Sequence, residues 1–240
     1  MAVAILSTEL NAVREGRLLL NRLDQWLLDE IKHDLGARVL DVGCGYGNLI
    51  PFLLDRQLVV ATDSDAASVD VVRLRFRNHP NVHPHVFDAM TPPSDELVGY
   101  AVDTVISLNV LEHIEQGQVA LGNMVRLLPG GGNLVTIVPA HRFLYGTMDS
   151  SIGHFRRYTK AMMRERLLPL GARIKREFYV NVVGALGWWF AGQVLRRTTP
   201  SKGQMSLFNR LVPFLAFGER WLRPPFGLSL VTVATLGRSN

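Results

Sequence analysis

One segment of the sequence limits the fold more than any other. Residues 38–42, RVLDV, form a short apolar, β-branched run, and glycine then occupies three alternate positions, Gly43, Gly45 and Gly47. Such a run predicts a buried strand, and the glycines predict a turn with positive φ angles that approaches a ligand closely. A strand ending in a glycine turn is typical of α/β proteins, in which ligands bind beyond the carboxyl ends of the strands.

Strand and helix patterns alternate over the first 140 residues. The predicted strands after residues 38–42 are 58–62, 82–87, 102–108 and 133–138. The predicted helices are 8–35, 48–56, a helix capped by Asp65, and 115–128. This alternation predicts a parallel sheet with helices on both faces.

The rhythm changes after residue 138. A loop at 139–158 leads to a predicted helix that opens at Thr159 and closes at Gly171. Two further predicted strands, 173–182 and 228–236, enclose an apolar insertion at about 184–226 that contains Trp188, Trp189 and Trp221. Most of the sheet is therefore expected to come from the first part of the chain, and the insertion lies late in the chain.

Acidic residues close the second and third strands. Asp63 lies 20 residues after Gly43, where a carboxylate can accept hydrogen bonds from ribose hydroxyls, and Asp88 ends the next strand. The fingerprint of NAD-binding proteins has glycine or alanine at the position of Asn48, so this chain departs from that fingerprint. The glycine turn and the two carboxylates at successive strand ends therefore predict a nucleoside site.

Four segments in this order resemble the class I S-adenosylmethionine-dependent methyltransferases of the small-molecule, ubiquinone-biosynthesis-like branch. They are DVGCGYG (41–47), Asp63, Asp88-Ala89 and VISLNVLEHI (105–114). The resemblance implies a Rossmann-like, seven-stranded doubly wound sheet whose last strand is antiparallel and inserted between the fifth and sixth, with the apolar helical insertion before it. It also implies S-adenosylmethionine as cofactor and S-adenosylhomocysteine as product.

The resemblance also implies roles for individual residues. Asp41, Gly43 and Gly45 would hold the methionine part of the cofactor, Asp63 the ribose, and Asp88 with Ala89 the adenine, while Asn109 would contact the cofactor from the fourth strand end. The expected organisation is one domain over 1–240. Its parts are an N-terminal helical lid (1–36), a cofactor-binding half (37–140) and a substrate-side half (141–240).

A second resemblance covers residues 139–159, which contain GHFRRY. They are similar to a bacterial subgroup of these enzymes to which no substrate can be attached. We expect Arg157 and Tyr158 to clamp an anionic acceptor, since guanidinium pairs with carboxylate or phosphate, and Tyr145 to line the pocket. The alternative is that Arg157 ties the loop to Asp149 or to helix ends.

Three histidines are candidates for a general base or for orienting the acceptor: His113, His141 and His154. Methyl transfer from a sulfonium is an in-line displacement, so alignment provides most of the catalysis, and a base is needed only for a hydroxyl or an acidic carbon. Each histidine also has a structural interpretation, as a helix cap or as packing. No convincing metal-ligand spacing is present, His83 and His85 are read as structural, and no metal is expected.

Composition argues against several classes of protein. The single cysteine, Cys44, excludes a disulfide framework or a multi-cysteine metal site, and the start of the chain does not resemble a secretory signal. The uncharged stretch 178–195 is short for a membrane span and contains three glycines. A cytoplasmic protein is expected.

Charge is divided between the two ends of the chain. Residues 1–150 carry 11 Lys/Arg and 18 Asp/Glu, whereas residues 151–240 carry 15 and 3. The acceptor is expected to be a small apolar or anionic metabolite, with secondary-metabolite precursors and lipid-linked sugar precursors as the leading classes. The rivals are an RNA methyltransferase, although no nucleic-acid partner is expected, and a non-catalytic binding module.

The insertion leaves four interpretations open: a lid over an apolar acceptor, a dimer interface, a contact with the inner membrane surface beside Arg196 and Arg197, or packing on the edge of the sheet. A monomer and a homodimer are both compatible with the sequence.

Overall fold

The computed structural model describes residues 20–199, 202–222 and 224–237. Their strands form one seven-stranded sheet in the order β3-β2-β1-β4-β5-β7-β6. The strands are β1 (Arg38–Val42), β2 (Leu58–Asp63), β3 (Val82–Val86), β4 (Thr104–Leu108), β5 (Gly132–Pro139), β6 (Arg173–Val180) and β7 (Ser229–Leu236). Neighbours among β1–β5 pair in parallel, and β7 pairs antiparallel with both β5 and β6. The predicted topology is confirmed.

Eight helices surround the sheet in the part of the chain that the structure describes. They are α1 (Asn21–Ile31), α2 (Ala66–Arg75), α3 (Asp95–Gly99), α4 (Gly117–Arg126), α5 (Thr147–Ser151), α6 (Lys160–Leu167), α7 (Val182–Trp189) and α8 (Lys202–Leu222). Asp65 caps α2 by accepting from the Ala67 N–H, and Thr159 caps α6 by accepting from the Met162 N–H. Both caps satisfy N–H groups that have no partner inside the helix, and both predicted helix starts are confirmed.

The core lies on both faces of the sheet. Leu40, Val105 and Leu134 point to one face and pack with α4 and α6, whereas Val39 and Ile106 point to the other and pack with α1 and α8. Because consecutive strand residues face opposite sides and both sides are covered, these strands read as nearly continuous apolar runs.

Two predicted helices differ from the structure. At 48–56 the backbone forms only a 3-10 turn, Ile50–Phe52, and the prediction of a helix there is wrong. Pro51 has no N–H to continue an α-helical ladder, and the bonds that form join residues three apart. The helix predicted at 8–35 is present over Asn21–Ile31, and a 3-10 turn follows it. Residues 1–19, on which much of the lid hypothesis depends, lie outside the described residues.

The loop after β5 is more helical than predicted, whereas the insertion is helical as predicted. The loop at 139–158 contains a 3-10 turn and α5, and the insertion consists of α7, a π-helical segment (Phe190–Val194) and α8. None of the described helices is both long and apolar enough to span a membrane.

Candidate cofactor and acceptor site

The glycine turn after β1 is held by the neighbouring strand. The N–H groups of Gly43 and Cys44 both donate to the Thr62 carbonyl oxygen, at 2.7 and 2.8 Å. Gly43 has φ +75°, and a β-carbon there would lie 2.3 Å from the Val110 side chain. Gly45 has φ +53°, and a β-carbon there would meet open space. The backbone at Gly43 is therefore fixed by packing, while at Gly45 it borders space that a ligand could occupy.

Asp63 joins the end of β2 to this turn. Its carboxylate accepts from the Gly45 N–H at 2.8 Å and from the Asp65 N–H at 3.0 Å. Hydrogen bonds to a charged acceptor are among the stronger ones in proteins, so this carboxylate fixes the turn geometry. It stands at the strand end where the sequence predicts a ribose-binding acid.

Asp41 lies in the last part of β1 and is buried. Its Oδ2 has no hydrogen-bond partner within the described chain. Burial, then the charges of Asp63 and Asp24, raise the pKa of Asp41 to about 7. A buried carboxylate of this kind is costly unless a cation or hydrogen-bond donor meets it. The site therefore fits a ligand that brings a cationic or N–H group to this point, as the methionine ammonium of the expected cofactor would.

The remaining predicted cofactor residues lie at the ends of the next strands. The exposed Asp88 accepts from the Met90 N–H at 2.8 Å, and the Ala89 carbonyl accepts from the Asn123 side chain at 2.8 Å. Asn109, with φ +54°, follows β4 and donates its N–H to Ile137. Because these strands are parallel, their carboxyl ends meet at one edge of the sheet, and the structure places all seven predicted cofactor residues along that edge.

Arg157 and Tyr158 are in the core. The Arg157 Nε donates to Asp149 at 2.9 Å and its Nη1 to the Ala140 carbonyl at 3.1 Å, and Tyr158 Oη donates to the Leu111 carbonyl at 2.9 Å. The alternative interpretation, a tie between Arg157 and Asp149, is thus the contact observed. These positions give no support to the expectation that the two residues clamp an acceptor. Tyr145 is half-buried and its hydroxyl donates to the His154 carbonyl at 2.8 Å.

His141 occupies a strained position just after β5. Its φ is +61°, which is rare for a side chain with a β-carbon, and strained residues often occur at functional sites. The ring lies 4.4 Å from that of Tyr179 between centroids, and its Nε2 is buried with no hydrogen-bond partner in the described residues. Burial, then the charges of Arg157 and Lys160, lower the pKa of His141, so the imidazole is held in its neutral, basic form.

The other two candidate histidines contact each other. The rings of His113 and His154 meet edge to face with centroids 4.7 Å apart, although 41 residues separate them in sequence. His154 is buried, and its Nδ1 lies 2.9 Å from an oxygen of Asp149. The histidines read as structural, His83 and His85, lie on β3 with their rings against Tyr100.

Sequence reasoning missed two side chains of this region as site residues. Glu112 is fully buried beside His154, and the buried Asp149 also accepts from Trp188 Nε1 at 3.0 Å. For Glu112 the available signal was its place in segment 105–114, the fourth of the segments that resemble the methyltransferases. For Asp149 the signal was an acid in a loop that is otherwise poor in acids.

Comparison with known proteins finds methyltransferases that are similar to part of this chain. Residues 40–134 match the family model described as "Methyltransferase domain". An uncharacterized methyltransferase of Mycobacterium bovis, Mb0092, is 33% identical over 130 residues, which are 54% of this chain and 62% of that protein. The zebrafish (Danio rerio) tRNA N(3)-cytidine methyltransferase METTL2 is 27% identical over 182 residues, 72% of this chain and 46% of its own length.

The fold is shared with solved structures. A SAM-dependent methyltransferase from Aquifex aeolicus superposes with a TM-score of 0.55 at 19% identity, covering 72% of this chain and 92% of that one. The chain spans about three fifths of the length of the Mycobacterium protein, and the residues that match the family model, 40–134, lie in the cofactor-binding half. That half carries the glycine turn and the strand-end acids, and over residues 40–134 the chain is similar to the methyltransferase domain that the family model describes.

Proposed function

We propose that this protein transfers a methyl group from S-adenosylmethionine to a small acceptor and releases S-adenosylhomocysteine. The observation that carries the proposal is the contact of the Gly45 N–H with the Asp63 carboxylate, which fixes a turn open to a ligand at the strand edge. When bound, the cofactor supplies a methyl group activated by a sulfonium. Its binding and orientation are the task of the chain's own residues.

The roles of the cofactor residues follow from their positions. Asp63 would accept from the ribose hydroxyls with lone pairs beyond those used by Gly45 and Asp65, and Asp88 would accept from the adenine amino group. Asp41 would meet the methionine ammonium, and the open side of Gly45 would admit the ligand close to the backbone. The walls of the cofactor site would be formed by Gly43, Ala89 and Asn109.

On the acceptor side, we assign His141 as the candidate base. Its imidazole is kept neutral at the end of β5, with an Nε2 that has no hydrogen-bond partner among the described residues, and it can therefore take a proton from a hydroxyl or acidic carbon. Arg157 and Tyr158 would position the loop around it rather than touch the acceptor. Tyr145 would line the pocket.

The acceptor class is suggested by the exposed face of the insertion. Apolar side chains of α7, the π-helical segment and α8 face solvent, among them Leu186, Trp189, Phe190, Leu207, Phe214, Phe217 and Trp221. We propose that this face meets a membrane surface and that the acceptor is apolar or lipid-linked. The excess of arginine and lysine after residue 150 suits an anionic lipid surface.

A screen followed by turnover tests the activity. Candidate acceptors are first ranked by the melting temperature that they add when S-adenosylhomocysteine is present, since a ligand stabilises the folded state that binds it. Each positive acceptor is then incubated with S-adenosylmethionine, and methylated product is measured by mass spectrometry. Product with any acceptor supports the enzyme. Cofactor binding without turnover of any acceptor favours the rival, a non-catalytic binding module.

RNA methylation is the second candidate, because the zebrafish relative is a tRNA methyltransferase and the second part of this chain is basic. Phosphate contacts make such binding strongly salt-dependent. A tRNA mobility shift at low salt that weakens steeply with added salt would favour it, and no shift at low salt would exclude it.

A further inference from the structure

Glu112, His113 and His154 form a compact cluster next to the end of β4. Each offers one donor atom, and the three atoms lie within 4.8 Å of one another. The Glu112 Oε1 and His154 Nε2 atoms are 3.8 Å apart, and the two histidine rings are in contact. Two imidazole nitrogens and a carboxylate at such separations can converge on one cation after small side-chain rotations.

Four hydrogen bonds hold this cluster together. The Phe155 N–H donates to the Glu112 carbonyl at 2.8 Å, Arg156 to the Ile114 carbonyl at 3.1 Å, and Tyr158 to the Leu111 carbonyl at 2.9 Å. Arg157 donates to Asp149, the carboxylate that also bonds His154. Each of the residues at positions 155–158 thus contributes to placing His154 against segment 111–114, and this gives the GHFRRY loop a purpose other than contact with an acceptor.

The orientation of His154 is set by Asp149. The Asp149 Oδ1 accepts from His154 Nδ1 at 2.9 Å, so Nε2 is the nitrogen turned towards Glu112. A carboxylate behind the far nitrogen of a histidine is the usual support of a metal-binding imidazole, because it fixes the ring and makes the ligating nitrogen more basic. Asp149 is itself held by Trp188 and Arg157.

The charges of the region also suit a cation. Glu112 and Asp149 bring two fully buried carboxylates to the same place, and Arg157 brings a buried guanidinium. These three groups together carry one net negative charge when ionised, so the buried region favours a cation held by Glu112 and two neutral imidazoles. His113 is only half-buried, so the cluster is reachable from the surface.

We propose that Glu112, His113 and His154 bind a divalent first-row transition cation, with positions left open for an oxygen of the acceptor. Imidazole with one carboxylate is a donor set that suits Zn²⁺, Fe²⁺ and Mn²⁺. The cluster follows β4 just after Asn109, on the sheet edge where the cofactor residues lie. The role of the cation in holding the acceptor oxygen rests on the proposed function, whereas the binding of the cation does not.

Calorimetry with Mn²⁺ and Zn²⁺ on the full-length, metal-stripped protein tests the binding. We expect one cation per chain, with affinity reduced at least about tenfold in Glu112→Gln and in His113→Gln, and by about 10- to 100-fold in Asp149→Asn, which acts through His154. His83→Gln is the matched control, since it removes a histidine outside the cluster. Electron paramagnetic resonance of bound Mn²⁺ gives a second readout, and melting curves without metal identify any variant that fails to fold.

The outcomes separate this proposal from the proposed function. Absence of stoichiometric binding to the wild type overturns the metal site, as does undiminished binding to folded Glu112→Gln and His113→Gln. S-adenosylhomocysteine is titrated into the same samples without metal. Retained nucleoside binding with no cation binding overturns only the metal site, and cation binding without nucleoside binding overturns only the methyl-transfer function.

Discussion

At the scale of single residues, two acids near the ends of adjacent strands are used differently. Asp63 accepts two backbone N–H bonds, and these fix the turn beside it. Asp41, one strand away, is buried with an oxygen that has no hydrogen-bond partner in the described parts of the chain, and its pKa is raised to about 7. One acid therefore shapes the site, and the other makes the ligand-free protein less stable than it could be.

The raised pKa of Asp41 predicts how stability changes with pH. The folded state binds a proton at Asp41 up to about pH 7, whereas the unfolded carboxyl loses it near its ordinary value of 3.8. Between these values the folded state holds more protons, so stability falls as pH rises. We expect Asp41→Asn to raise the free energy of unfolding at pH 8 by up to about 4 kcal/mol, and to change it little at pH 4.

Urea unfolding of the ligand-free wild type and of Asp41→Asn at both pH values measures this difference. Asp70→Asn, on the exposed face of α2, serves as the control and is expected to match the wild type. A difference between Asp41→Asn and wild type that does not grow with pH would contradict the role assigned to Asp41.

His141 carries the second residue-scale prediction. If it is the base, His141→Gln lowers kcat by roughly 10²- to 10⁴-fold with a hydroxyl acceptor and leaves S-adenosylhomocysteine affinity unchanged. Steady-state kinetics with an acceptor from the thermal-shift screen, beside His83→Gln as control, measure this. Unchanged kcat in His141→Gln would remove the histidine from the mechanism.

At the scale of elements, the loop after β5 is fixed by one buried ion pair. Arg157 is 2% exposed and Asp149 is fully buried, and α5, α7 and the GHFRRY segment all meet at that pair. Ion pairs of this kind matter most when one partner is removed, because the remaining charge is then buried alone.

We therefore expect Arg157→Ala to destabilise the fold by about 3–5 kcal/mol, since it leaves Asp149 without its guanidinium. Arg73→Ala breaks the exposed pair with Asp70 on α2 and should cost less than about 1 kcal/mol. Chemical denaturation of the wild type and of the two variants at neutral pH compares these losses in the free energy of unfolding. Equal effects of the two substitutions would show that the buried pair does not hold the loop.

The elements also show how far the sequence could lead. The period of apolar residues and the residues Asp65 and Thr159 were sufficient for the strands and for two helix starts, because those signals are local, whereas the place of the last strand in the sheet was implied by the family resemblance. The cluster of Glu112 with His154 could not be found in that way, since it depends on a backbone bond between Phe155 and Glu112 that only the folded chain forms. Arg157 was open to two interpretations for the same reason.

One difference from the structure has a local cause that the sequence did contain. The turn at 50–52 follows from Pro51, whose missing N–H weighs more than the apolar pattern around it. The three histidine candidates could not be ranked from sequence, because burial and the neighbouring Tyr179 and Lys160, which distinguish His141, come from other strands and helices.

At the scale of the whole molecule, α8 has apolar side chains on two sides. Val212 and Ala216 are buried and lie in the core on the same side of the sheet as α1, whereas Phe214 and Trp221 are 76% and 81% exposed. Adjoining apolar side chains left in water are typical of an interaction surface. The excess of lysine and arginine in residues 151–240 favours an anionic membrane surface as the partner of this face.

We expect the wild type to sediment with vesicles of phosphatidylglycerol and phosphatidylcholine, and less with phosphatidylcholine alone. The double variant Phe214→Ser/Trp221→Ser should lose most of this binding, because it removes the two most exposed aromatic side chains of α8. Leu74→Ser, at an exposed position of α2, is the control. Undiminished sedimentation of the double variant, or a change only in its oligomeric state, would assign the face to another partner.

The central claim is that the turn and acids at the sheet edge bind S-adenosylmethionine, and calorimetry with S-adenosylhomocysteine tests it most directly. We expect one molecule bound per wild-type chain, binding at least about tenfold weaker in Asp63→Ala, and wild-type binding in Asp70→Ala. No heat with the wild type, or equal affinity in a folded Asp63→Ala, would contradict the claim.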